Sequence, residues 1–278
     1  MIIDTDNYAA SGIEVFTFPG GEWHANVPAL EQRIKIRMHA KLRTWDDVGK
    51  LLVVADALRT QGHILDLFAP YFPGMRQDRN PNGMTPLTVR TYALVLSQYF
   101  NRVTIVDPHS HAGVKILDGY FDHVETIYST EFLADLIKPL DRPDVVLIPD
   151  KGAAKRSEAV ADLFGAFVVQ ADKVRDFETG VLSGFSIPEQ LWGAKRILIP
   201  DDICDGGGTF LGLLAEIRKQ TDAPVDLYVT HGIFSKGLGV LRDFDNVYTT
   251  DSFYQPEDWY SPWARPIELL PYYTGEYK

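Results

Sequence analysis

The sequence holds a single cysteine, Cys204, and four methionines in 278 residues. One thiol can build neither an intrachain disulfide nor a cysteine-based metal cluster, so a reducing, cytoplasmic setting is expected. Basic residues are also short, with 27 Lys and Arg against 38 Asp and Glu and a net charge of -11. Binding along duplex nucleic acid needs a basic face that displaces counterions, and this chain has no surplus from which to build one. A few cations can still be gathered in one cleft for a small anion. Long apolar runs are missing too: LLVVADAL and VVLIP fall well short of the roughly 20 residues that cross a bilayer. The first residues, MIIDTDNYAASG, lack a basic stretch leading into an apolar one, so no secretory signal is expected. Neither a membrane nor a nucleic acid is therefore an expected partner.

Hydrophobic residues make up 45% of the chain and charged residues 23%, a balance that can bury a core. Short apolar runs at 65–70, 103–106, 145–148, 167–170, 197–199 and 225–230 read as buried strands. Amphipathic stretches at 45–62, 86–100, 153–164 and 208–220 read as helices between them. Such alternation indicates an α/β protein with mainly parallel sheets flanked by helices. Two units of this kind follow one another. Their division is placed at 135/136, giving domains 1–135 and 136–278 with residues 128–143 as the connecting segment. The last stretch, 253–278, is rich in aromatic residues and proline and shows no period.

The sharpest motif is RILIPDDICDGGGTF at 196–210. An apolar strand runs into two acids, Asp201 and Asp202, then through Asp205, Gly206, Gly207, Gly208 and Thr209 into a helix. Ligands of open α/β sheets sit at the carboxyl ends of strands. A glycine-rich turn at a helix N-terminus exposes backbone N–H groups of the kind that hold phosphate. The acids ahead of it can accept hydrogen bonds from vicinal sugar hydroxyls. Sugar and phosphate would thus be read by adjacent parts of one loop.

This segment resembles the ribose-phosphate loop of type I phosphoribosyltransferases, and further segments resemble ribose-phosphate pyrophosphokinases (PRPP synthetases). FTFPGGE at 16–22 is similar to that family's ATP loop, which implies nucleotide contacts from Phe18, Gly20 and Glu22. PYFPGMRQDR at 70–79 resembles its PYF-x-Y-x-RQDR and implies ATP contacts from Arg76 and Gln77. Asp107-Pro108-His109 is similar to its D-L-H, whose histidine helps hold Mg²⁺ on the ATP phosphates. PDKGAAKR at 149–156 resembles PD-x-G-x-x-x-R, which ties Asp150 to a second metal site. Lys173-Val174-Arg175 matches the K-x-R of a mobile catalytic loop, and THGIFS at 230–235 also has a counterpart.

The resemblance implies two tandem phosphoribosyltransferase-like domains and a Mg²⁺-dependent transfer of diphosphate from ATP to a ribose 5-phosphoryl acceptor. Lys173 and Arg175 would be catalytic, His109 and Asp150 would hold metal, and residues 201–209 would hold the acceptor. His111 and His231 read as structural, and Cys204 as a small residue in the loop. Expected partners are ATP, ribose 5-phosphate or ADP-ribose, and further copies of the chain. A catalytically silent regulatory homologue and a base-using phosphoribosyltransferase are the competing readings. The full set of catalytic residues argues against the first, and the RQDR and D-x-H matches against the second.

The chain departs from the pattern in places. Gly20 replaces an Asp of the ATP loop, and Gly206 replaces the Thr of D-T-G-G-T. Gly206 is expected to open space where a 5-phosphate would carry a further substituent. The tail supplies Tyr254, Trp259, Tyr260, Trp263, Tyr272 and Tyr273 as surfaces on which a purine could stack. Both features point to ADP-ribose as an alternative to ribose 5-phosphate.

Overall fold

The structure is a computed structural model that describes residues 1–30, 32–80, 82–137, 141–175, 182–187, 191–253 and 261–269. The chain divides into two compact units, Met1–Ile127 and Tyr128–Lys278. The division placed at 135/136 falls inside a short helix, Leu133–Leu136.

In the first unit, β1 (Ile2–Asp4) leads to a hairpin of β2 (Glu14–Thr17) and β3 (Trp23–Asn26), then to β4 (Lys35–His39). There follow α1 (Trp45–Thr60), β5 (Ile64–Phe68), α2 (Thr88–Leu96), β6 (Arg102–Val106), α3 (His111–Asp118) and β7 (His123–Ile127). The described sheet has the order β1-β4-β5-β6-β7 and is parallel throughout. Helix α1 starts where Thr44 and Asp47 cap each other's backbone N–H groups. Val48, Leu51, Val54, Ala55 and Leu58 recur at helical spacing and are buried in one core with Ile36, Met38, Leu65 and Leu67. Removing each large side chain of this set from water stabilises by about 1.5–3 kcal/mol. Helix α3 is absent from the sequence expectation, because its eight residues offer little more than two turns of pattern; Ser110 starts it by accepting from Gly113 N at 3.0 Å.

In the second unit, α4 is the short helix Leu133–Leu136. It is followed by β8 (Val145–Ile148), α5 (Ala154–Phe164), β9 (Phe167–Gln170), β10 (Asp172–Arg175), β11 (Leu182–Ser186) and β12 (Ile197–Cys204). Then come α6 (Gly208–Ile217), β13 (Val225–Gly232), β14 (Asn246–Thr250) and β15 (Ala264–Ile267). The described sheet has the order β15-β14-β13-β12-β8-β9, again parallel. The chain runs outward from β8 to β9, returns to β12 on the other side of β8, and builds outward the opposite way. Right-handed crossovers then put α5 and α6 on opposite faces. Alternate residues record this: Val145, Leu147, Ile197 and Ile199 share a core with Phe210, Leu213 and Ile217 of α6. Their neighbours Val146 and Leu198 are buried outside that cluster.

The amino ends of these strands are tied together. Arg196 Nη1 donates to both oxygens of Asp226 at 3.0 and 2.8 Å, and Asn246 Nδ2 donates to Asp226 Oδ1 at 2.9 Å. Asp226 is buried, and that burial lifts its carboxyl above the usual range against the pull of Arg196. This fixes the sheet at the end away from its carboxyl edge. Among the described residues no helix is long and apolar enough to cross a membrane.

Candidate active site

The reversal between β8 and β12 is where an open parallel sheet leaves a crevice at its carboxyl edge. On one side, β8 ends and Asp150 Oδ1 accepts from Gly152 N at 2.8 Å and Ala153 N at 3.2 Å, closing the turn that leads into α5. From the first turn of α5, Arg156 crosses to β12. Its Nη1 lies 3.1 Å from Asp201 Oδ1 and 3.2 Å from Asp202 Oδ1. Asp202 N donates to Asp201 Oδ1 at 2.8 Å. Burial, and then the adjacent Asp202 carboxylate, push the Asp201 carboxyl well above its usual range, while Arg156 pulls it back. The pair is therefore two carboxylates kept close by one shared guanidinium, at the mouth of the crevice. Arg156 stands within the PD-x-G-x-x-x-R match, yet sequence reasoning assigned it no role. Arg156 lies eight residues past the end of β8, and nothing in its local sequence marks its contact with β12.

Beyond the acids, Asp205 and Gly208 are exposed and Gly207 is buried. Gly207 has φ 76°, and a Cβ there would come within 3.1 Å of Leu241 Cδ2, so both backbone and packing call for glycine. No side chain caps α6, which leaves its first N–H groups to the loop. The space expected beside Gly206 is not open: a Cβ there would meet Lys236 Cε at 3.3 Å and Cδ at 3.4 Å. The lysine stem fills the place where a side chain would stand. Gly208, by contrast, has nothing within 4 Å of its Cβ position. Cys204 is buried, and burial pushes its thiol up to about 12, which fits a packed side chain and not a nucleophile. His231 is buried with its Nδ1 2.8 Å from Ser252 Oγ, which in turn donates to Thr230 O at 3.0 Å.

Lys173 and Arg175 fall on β10, which pairs antiparallel with β11 and shifts register between Val174 and Arg175. The segment expected as a loop is thus a hairpin at these positions; their side chains and residues 176–181 lie outside the described residues. The hairpin is seated on α6, because Phe185 packs where a Cβ on Gly212 would meet its Cε2 at 2.7 Å. The hairpin and the glycine loop therefore share one helix.

In the first unit the segments expected to contact nucleotide occupy carboxyl-edge loops and the β2–β3 hairpin. Phe18 N donates to Glu22 O at 2.9 Å, and Phe18, half exposed, meets Phe16 edge-on with centroids 5.4 Å apart. Glu22 Oε2 lies 2.7 Å from where a Gly20 Cβ would stand, so an acidic side chain at 20 would face the Glu22 carboxylate. Arg76 and Gln77 are exposed on the loop after β5. That loop turns at Gly74, with φ 79°, where a Cβ would strike Val89 N at 2.6 Å. Met75 then packs against Gly113 of α3, and Asp78 accepts from Ser110 Oγ. The RQDR loop is thereby fastened to the loop that carries Asp107 and the exposed His109. Asp107 is buried at φ 38°, a backbone region that aspartate tolerates better than most residues.

Among the described residues no three of His, Cys, Asp and Glu are grouped to hold a metal. His109 and Asp150 each lie on a loop just past a strand end. Of the aromatic tail, Trp263 is partly buried against the second unit's core. Tyr254, Trp259, Tyr260, Tyr272 and Tyr273 lie outside the described residues.

No protein-family model matches the chain. The fold is that of the crystal structure of phosphoribosylpyrophosphate synthetase from Mycobacterium smegmatis, with a TM-score of 0.83, 20% identity and coverage of 99% of this chain and 96% of that one. It consists of two phosphoribosyltransferase-like domains in tandem. Curated relatives named ribose-phosphate pyrophosphokinase align over most of the chain. The one from Thermococcus kodakarensis is 29% identical over 252 residues, covering 88% of this chain and 86% of its own. The one from Maricaulis maris is 33% identical over 235 residues, covering 81% of this chain and 74% of its own. With that identity over that span, the chain belongs to the ribose-phosphate pyrophosphokinase family of enzymes.

Proposed function

We propose that the protein moves the β,γ-diphosphate of ATP onto the anomeric hydroxyl of a ribose 5-phosphoryl acceptor and releases AMP. The observation that carries this reading is Arg156 holding Asp201 and Asp202 together beside residues 205–209 at the β8–β12 reversal. Two neighbouring carboxylates suit two vicinal hydroxyls, and the start of α6 suits a phosphoryl group. A ribose 5-phosphoryl sugar presents both. In this reading Asp201 and Asp202 orient the ring, and Gly206, Gly207, Gly208 and Thr209 hold its 5-phosphoryl group. Phe18, Gly20, Glu22, Arg76 and Gln77 hold the nucleotide. Lys173 and Arg175 offset the charge on the migrating diphosphate. Displacement at phosphorus needs in-line positioning and charge neutralisation more than covalent help, which matches residues of these types.

Mg²⁺ fits the donor set. Asp150, Asp201, Asp202 and Asp205 are hard oxygen donors, and Mg²⁺ takes one or two carboxylates with substrate phosphates instead of a full protein cage. His109 would help hold one such ion on the ATP phosphates, and Asp150 would belong to a second metal site on the acceptor side. When bound, the ion would neutralise phosphate charge. Incubated with ATP, Mg²⁺ and acceptor, the protein is expected to form AMP, to stop in excess EDTA and to resume with Mg²⁺ or Mn²⁺. Absence of AMP with every ribose 5-phosphoryl acceptor overturns the reading, and full turnover in EDTA overturns the metal's part in it.

ADP-ribose stands beside ribose 5-phosphate as the acceptor. Its distal ribose has a free anomeric hydroxyl and a 5-phosphoryl group extended by AMP. Open space at Gly208 and a lysine against Gly206 favour this longer acceptor, which carries a second phosphate. The product would be ADP-ribose 1-pyrophosphate, a substrate for a base-transferring enzyme in NAD salvage. Comparing kcat/KM for the two sugars decides between them: a preference of roughly tenfold or more for ribose 5-phosphate rules out the longer acceptor.

A further inference from the structure

Lys236 is held against the glycine loop by the turn that follows β13. After β13, Ile233 N and Phe234 N both donate to Cys204 O, at 2.9 and 3.1 Å, pinning this segment to the residue just before Asp205. Phe234 is buried in the left-handed region at φ 46°. Gly237 N donates to Phe234 O at 2.7 Å and closes the turn, with Gly237 itself at φ 78°. Phe234 is the strained residue of this turn, since glycine at 237 adopts a positive φ readily, and strain of that kind persists only where the surroundings hold it. The turn lays the Lys236 stem along Gly206, with Cε, Cδ and Cγ at 3.3, 3.4 and 3.7 Å from where a Cβ would be. A side chain at 206 would compete with that stem for its place. Lys236 enters no ion pair among the described residues, and its residue is exposed. It adds a cation to a loop whose side-chain hydroxyl is Thr209 alone and whose nearest formal charge is the acid Asp205.

We propose that Lys236 is an acceptor-binding residue: its ammonium contacts the phosphoryl end of the ribose 5-phosphoryl acceptor, and Gly206 is glycine so that the lysine can reach it. This rests on the acceptor site proposed above. It assigns a specificity-determining contact to a residue outside the loop motif. A charge-assisted hydrogen bond to phosphate then takes the part that a hydroxyl at 206 would otherwise play.

The test uses Lys236→Met, which keeps the stem and deletes the charge, with initial rates measured for both ribose 5-phosphate and ADP-ribose. The acceptor KM is expected to rise about tenfold or more for the sugar that the wild type prefers, while the KM for ATP stays put. Gly206→Thr should produce a similar loss by displacing the lysine. The double variant Gly206→Thr, Lys236→Gly should recover most of it, because a hydroxyl then replaces the cation. Thermal stability reads out folding in every variant. An unchanged acceptor KM in Lys236→Met, with wild-type turnover intact, overturns this inference and leaves the proposed function standing. A double variant no better than Gly206→Thr overturns the link between the two positions. Wild-type enzyme that forms no AMP with either sugar removes both readings together.

Discussion

Replacing Arg156 by leucine is expected to lower kcat/KM by about 10²–10³-fold, the loss typical when a preorganised charged contact is removed from a site. It is also expected to destabilise the protein by up to about 3 kcal/mol, since it strips the shared cation from two adjacent carboxylates. Asp201 already titrates above its usual range because of burial and Asp202, and Arg156 is the cation opposing that shift. Without it the pair takes up a proton, and a protonated carboxyl donates a hydrogen bond where a sugar hydroxyl needs an acceptor. A carboxyl whose folded pKa is raised contributes stability that is full below its unfolded pKa and lost as pH rises through the folded one. The variant's Tm deficit against the wild type should therefore shrink on acidification and grow as pH rises through the raised range of the Asp201 carboxyl. Asp201→Asn should do the opposite in the apo enzyme, raising Tm while removing activity. The double variant Arg156→Leu, Asp201→Asn should recover Tm without recovering turnover. A Tm deficit that is flat across pH, or near-native turnover in Arg156→Leu, would show that the guanidinium does not govern the acid pair.

Replacing Lys173 or Arg175 by alanine is expected to cut kcat by roughly 10²-fold or more with little change in Tm. Both residues lie on β10, the first strand of the hairpin with β11. Their loss should appear in kcat and not in acceptor KM, because a charge that offsets the migrating diphosphate acts most strongly in the transition state. The hairpin's seat supplies a second way to test the idea. A methyl group on Gly212 would press on the Phe185 ring at 2.7 Å and shift the hairpin on α6. Gly212→Ala should therefore reduce kcat while sparing acceptor KM, since the glycine loop at the start of α6 is untouched. Single-turnover measurements of AMP formation would separate this from slow product release. Near-native kcat in both alanine variants would remove β10 from the chemistry.

The parallel sheets could be read from the sequence because strands buried on both faces are written as unbroken apolar runs. Residues 145–148 match β8, which is buried throughout, and 167–170 match β9, whose apolar run is legible although Phe167 and Val168 are exposed at the sheet's edge. Strand β12 was expected to stop at Ile199, yet it continues to Cys204. Its acids interrupt the apolar run without interrupting the ladder, because Asp201 pairs with Val229 and Ile203 with His231. The β2–β3 and β10–β11 hairpins escaped notice because each of their strands is only four or five residues long, too short to set a period. Strand β15 escaped because Ala264-Arg265-Pro266-Ile267 reads as a turn, although it pairs with β14 at the sheet's edge, where a proline is tolerated. The glycine loop and its acids were visible as a motif. What gives them geometry was not: Arg156 and Lys236 arrive from other segments, and no local pattern announces a long-range contact.

The order of strands also dictates when the crevice can come into being. Strands β8 and β12 are neighbours in the sheet, yet β9, β10 and β11 lie between them along the chain. Pairings such as β8 with β9 or β12 with β13 close over a single helix, whereas joining β8 to β12 closes a much longer loop and costs more chain entropy. The Arg156 contacts to Asp201 and Asp202 span 45 and 46 residues and cannot form before that closure. A nascent or partly refolded chain can thus hold both halves of the motif, each on its own piece of sheet, and still have no place for a sugar. The act of joining the two pieces is what brings Arg156 to the acid pair and completes the acceptor site proposed above.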